Sequence, residues 1–100
     1  MSLRYRLIDA AQQDYEEAVL WYAERSVTAA ENFVVAIDNT LQTICAHPTR
    51  WRNEYKNFYE LGVKKYPYTI IYAIEDTDLV VVISIYHQKR NPKKKYRKMK

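Results

Sequence analysis

Glycine is almost missing from this chain: among its 100 residues there is one, Gly62, beside three prolines and a single cysteine. So little glycine leaves few tight turns and excludes a glycine-rich loop that cradles a phosphate. One cysteine cannot close an internal disulfide, and Cys45 falls on an apolar helical stripe, which makes it a buried, unreactive thiol of a reducing compartment. Long apolar runs are absent as well. None approaches the roughly 20 residues that a membrane helix needs, and Met1 to Arg6 has no apolar stretch of signal-peptide type. These absences predict a cytoplasmic protein with no membrane partner. Acidic residues are missing from the last twelve positions.

What those twelve positions hold is charge of the other sign, since eight of them are Lys or Arg. The other eight basic residues stand against all twelve acidic ones, so positions 1–88 carry −4 and the tail +8. A basic cluster that directly follows a strand pattern suits a phosphate backbone or an acidic protein partner. The plainer reading is a solvated terminus. Ten tyrosines are the second excess. Most suit half-buried strand positions, and some can stack on nucleobases.

The length predicts one domain over 1–100, with a basic tail at 89–100. Leu3 to Ile8 alternates as a first strand. Asp9 with Gln12 resembles a capping box, and Tyr15, Ala18, Val19 and Tyr22 recur at helical spacing, which predicts a helix from about 10 to 25. Thr28 with Glu31 forms a second capping box ahead of the stripe Phe33, Val34, Ile37, Leu41, Ile44, Cys45. That helix of roughly 18 residues must stop near His47, because Pro48 cannot continue it. His47 there is a cap that suits the helix dipole. Thr49 to Asn57 shows no period and reads as a connecting loop. Strand patterns follow at Phe58–Lys64, Tyr66–Glu75 and Leu79–His87, with a hairpin turn at 75–78 and Pro67 at a strand start. The order β-α-α-β-β-β predicts an α+β fold, two helices on a mainly antiparallel four-stranded sheet.

Tyr66-Pro-Tyr-Thr-Ile-Ile-Tyr72 and the ending Tyr86-His-Gln-Lys-Arg-Asn-Pro92 resemble the RelE/ParE superfamily of type II toxin–antitoxin toxins, which includes plasmid stabilisation proteins. The early strand, the alanine-rich start Thr28-Ala-Ala-Glu-Asn-Phe33 and the helix-ending His47-Pro48 fall in the same order. The resemblance implies a bacterial toxin neutralised by an antitoxin, in a toxin–antitoxin hetero-oligomer. It implies one of two targets, because RelE-like members cleave messenger RNA on the ribosome whereas ParE-like members poison DNA gyrase. The aromatic-Pro-aromatic segment and the His-x-x-Arg-x-Pro ending look more like the ParE-like branch. A third reading is a non-toxic nucleic-acid-binding module or a decayed toxin.

An mRNA interferase of this kind passes the phosphoryl bond to the neighbouring 2′-hydroxyl and needs no metal or other cofactor. His87, with an unperturbed pKa of about 6.5, suits a base or an acid. Arg90, Lys65 and Lys89 suit the developing phosphate charge, and Tyr96 falls roughly where some nuclease members carry a tyrosine that stacks on a base or orients the site. Lys64 and Lys65 lie on the preceding strand pattern, where neighbours point opposite ways, so one of them contributes. The same His87 can instead satisfy backbone at a sheet terminus, with Lys64, Lys89, Arg90, Lys93, Lys94, Lys95 and Arg97 only binding a nucleic acid, target or antitoxin. Glu60 is a secondary candidate base whose ordinary role is a solvated strand face. Cys45, His47 and His87 have no zinc spacing. Trp21 shares its helix with Tyr22, and one of the two must face outward, either towards a partner or against the Trp51 loop.

Overall fold

The computed structural model describes residues 3–55, 57–76 and 78–89. Strand β1 (Arg4–Leu7) leads into helix α1 (Asp9–Ala23) and helix α2 (Val27–Ala46), and four strands follow: β2 (Arg52–Tyr55), β3 (Phe58–Gly62), β4 (Tyr68–Glu75) and β5 (Leu79–His87). They form one sheet in the order β1-β5-β4-β3-β2. The first strand runs parallel to β5, and every other neighbouring pair is antiparallel. The α+β expectation therefore holds with five strands rather than four. The stretch read as a loop, Thr49 to Asn57, contains β2, whose four residues Arg-Asn-Glu-Tyr have no apolar alternation to reveal them.

Both helices begin differently from the capping boxes in the sequence. Asp9 lies inside the first turn of α1, where its carboxylate complements the helix dipole, and the N-cap is Ile8, which makes no side-chain cap. Gln12 turns away and donates to Glu16 at 3.0 Å. In α2 the N-cap is Ser26 rather than Thr28, and its hydroxyl accepts the Ala29 N–H at 3.2 Å. The helix stops as expected at His47, since the residue before a proline is pushed out of helical geometry. No helix among the described residues is long and apolar enough to cross a membrane.

The core lies between the helices and one face of the sheet. Phe33, Ile37, Leu41, Ile44 and Cys45 of α2 meet Ile70 and Tyr72 of β4 and Val80, Val82 and Ile85 of β5, with Ala11 and Ala18 of α1 beside them. Each fully buried large side chain contributes about 1.5–3 kcal/mol of transfer free energy. Ala11 and Ala18 lie seven residues, about two turns, apart, and their small side chains let α1 approach closely. Burial pushes the pKa of the Cys45 thiol up, which keeps it protonated. Tyr72 donates its hydroxyl to the Pro48 carbonyl, tying the end of α2 to the central strand.

Between β4 and β5 the register shifts: Ile71 faces Ser84 and Tyr72 faces Val82, so Ile83 is an extra, bulged residue. Asp14 of α1 accepts hydrogen bonds from the Ser84 hydroxyl at 3.1 Å and the Ile85 N–H at 3.2 Å. The helix is thereby fixed to the bulge.

Candidate functional site

The C-terminal end of β5 and the start of β4 lie side by side, with His87 opposite Tyr68. His87 is half-buried, and its ring stands edge-on to the Tyr68 ring at 5.0 Å between centroids. Its Nδ1 accepts the Lys89 N–H at 3.1 Å, so that nitrogen is unprotonated in this arrangement. Gln88 anchors the same exit. Its N–H donates to the Pro67 carbonyl at 2.8 Å and its side-chain amide to the Thr69 hydroxyl at 3.0 Å. Together these bonds fix where the chain leaves the sheet and where its basic segment begins.

Lys64 and Lys65 do not continue the strand. They sit in the turn between β3 and β4, closed by the Val63 N–H on the Tyr68 carbonyl at 2.8 Å. Lys65 has φ 71°, a left-handed conformation that costs about 1–2 kcal/mol for a residue with a Cβ. Out of the extended state, the two lysines need not alternate, and both line one cleft. The cleft, about 480 Å³, runs between α2 and the β3–β4 turn and also includes Trp51 and Tyr66. Strand alternation, on which the expectation for the two lysines rested, does not apply because the strand ends at Gly62.

Glu60 is 7% exposed, which overturns the solvated strand face assigned to it. The reason is β2: by pairing with β3 it makes β3 an interior strand, and Arg52 lies directly across from Glu60. Cross-strand pairing also puts Glu60 opposite Ile71, next to the core residue Ile70, whereas His87 faces the core residue Tyr68. Strand alternation thus places Glu60 and His87 on opposite faces of the sheet.

Trp21 is 44% exposed. Its ring meets Tyr22 at 4.9 Å and lies under the Arg25 guanidinium, 3.5 Å from the ring centre, while Trp51 lines the cleft beside α2. From Tyr22 the rings continue inward to Phe33 at 4.8 Å, and from Phe33 to Tyr68 at 5.2 Å. Trp21 and His87 are therefore the two outer ends of one aromatic layer. Arg90, Lys93, Lys94, Lys95, Tyr96 and Arg97 lie outside the described residues. Of the residues with structural weight near this end, the sequence reading passed over Asp14 and Gln88. Trp51 it noted only as part of a loop, although a lone tryptophan between two arginines was a usable signal.

A family model for the ParE toxin of the type II toxin–antitoxin system parDE matches residues 5–92. The chain belongs to the ParE toxin family. The matched span of this ParE toxin runs from β1 through the exit at Gln88 and Lys89, so it includes the whole described site. Among solved structures, a chain of the chromosomal ParDE toxin–antitoxin system from P. aeruginosa has the same fold, with a TM-score of 0.64 at 14% identity, over 86% of this chain and 96% of that one. No curated protein matches this chain by sequence.

Proposed function

We propose that this ParE-family toxin inhibits bacterial growth by poisoning DNA gyrase, and that a cognate antitoxin binds it and holds it inactive. The observation that carries the reading is the match of a ParE toxin model to residues 5–92. The disposition of the candidate nuclease residues agrees with it. His87 holds a backbone N–H with Nδ1, Glu60 stands on the other face of the sheet, and Lys64 and Lys65 turn into a cleft beside α2. A phosphoryl-transfer site needs its base and its cations to converge on one phosphate. In this reading Lys89 and the basic residues after it, with exposed Trp21, meet target or antitoxin.

One observation favours the rival, ribosome-dependent mRNA cleavage: His87 stands at the root of the basic segment, so a base and cations adjoin in sequence. The two separate in a purified system. Gyrase, supercoiled plasmid, ATP and the toxin should accumulate linear DNA that is released only after protease treatment. Unchanged supercoiling and no linear product at toxin in excess over gyrase would overturn the gyrase reading.

A further inference from the structure

The cleft between α2 and the β3–β4 turn is given neither target nor antitoxin in the reading above, and its chemistry is specific. Trp51 forms one wall, and its indole N–H is the one buried side-chain polar atom without a partner among the described residues. That N–H is closed to solvent, so a ligand in the cleft meets the ring rather than the donor. The Arg50 guanidinium lies 5.3 Å from the centre of the same indole. Asn32 and Asn39 of α2 line the cleft, and an asparagine amide carries both donors and an acceptor. Lys64 and Lys65 both line it, and the second is in a left-handed conformation that a lysine adopts at a cost. Residues held in such conformations cluster at ligand clamps and active sites.

An aromatic wall, amides able to read a planar edge and two ammonium groups together match a nucleotide, with its flat base and its phosphate. An acidic peptide would use the lysines and leave the aromatic wall and the amides without a defined task. The volume of about 480 Å³ falls within the range of small-ligand sites, about 300–1,000 Å³. We propose that the Trp51 cleft binds a nucleotide, with the base against the indole and the phosphate on Lys64 and Lys65. The nucleotide is either free or one unit of a single strand, and the chemistry of recognition is the same.

The test is indole fluorescence of the full chain carrying Trp21→Phe, which leaves Trp51 as the only tryptophan. Titrants are AMP, UMP, a short single-stranded oligonucleotide, inorganic phosphate and a glutamate-rich peptide. A saturable change with the mononucleotides assigns the cleft to a free nucleotide, and a change with the oligonucleotide alone assigns it to a strand; either supports the proposal. Lys64→Gln with Lys65→Gln should weaken that binding about tenfold, with circular dichroism confirming the fold. Asn32→Ala, on an exposed helix position, should weaken it with no change in fold. Three results would overturn the proposal: no saturable change with any nucleotide, binding unaffected by loss of both lysines, or binding of the acidic peptide alone. None of them bears on the gyrase reading, which is measured separately.

Discussion

The imidazole of His87 stands edge-on to the phenol ring of Tyr68, with centroids 5.0 Å apart and planes at 82°. Tyr68 in turn packs on fully buried Phe33, so His87 is held by the core as much as by the strand it ends. Edge-to-face ring pairs are worth about 0.5–1.5 kcal/mol beyond their buried area. His87→Ala should therefore lower stability by about 1 kcal/mol in urea denaturation, and His87→Phe by less. Both variants should still arrest growth when induced, because gyrase poisoning asks no proton transfer of this residue and the loss of its ring contact leaves the fold intact.

Asp14 makes a larger contribution for its size. Its carboxylate holds both the Ser84 hydroxyl and the Ile85 N–H at the bulge, and hydrogen bonds to a charged group contribute about 1.5–3 kcal/mol each. Asp14→Ala should cost about 2–4 kcal/mol. Ser84→Ala removes one of the two bonds and should cost less, about 1.5 kcal/mol. Equal effects from the two variants would show that the Ile85 N–H bond carries no weight.

Helix α2 offers a clean comparison of two candidate caps. Ser26→Ala should destabilise by about 0.5–2 kcal/mol, the range for loss of an N-cap hydroxyl, whereas Thr28→Ala should be nearly neutral. Thermal melts of the two single variants decide it. A larger loss from Thr28→Ala would move the start of the helix.

Lys65→Gly should leave stability unchanged or raise it by up to about 1 kcal/mol, since glycine reaches φ 71° without the Cβ penalty. Lys65→Val should cost about 1–2 kcal/mol, because a β-branched residue tolerates that conformation worst. This pair separates the strain of the turn from the charge of the side chain.

The elements with strong period were legible in the sequence, and those ruled by pairing or local competition were not. The stripe from Phe33 to Cys45 and the run Val80 to Ile85 announce α2 and β5 because burial imposes helical or strand spacing. The second strand is edge backbone with four polar or amphipathic residues, and only its pairing with β3 makes it a strand. Missing it led directly to the error at Glu60, which an edge strand would have left in water. The caps failed for another reason: Asp9 and Thr28 are good capping residues, but the N-cap position of α1 falls one residue early, at Ile8, and in α2 Ser26, two residues before Thr28, takes the role. At the site, His87 and Trp21 were legible as single residues. Their joining through Phe33 depends on contacts far apart in the chain, which no local pattern carries.

The most direct test of how this toxin acts is a transcriptome-wide map of RNA 5′ ends taken within minutes of inducing the chain in a bacterial host, beside His87→Ala. Gyrase poisoning predicts growth arrest with no new RNA ends in either strain. New ends within translated messages that vanish in His87→Ala would contradict it and make the protein a nuclease centred on His87.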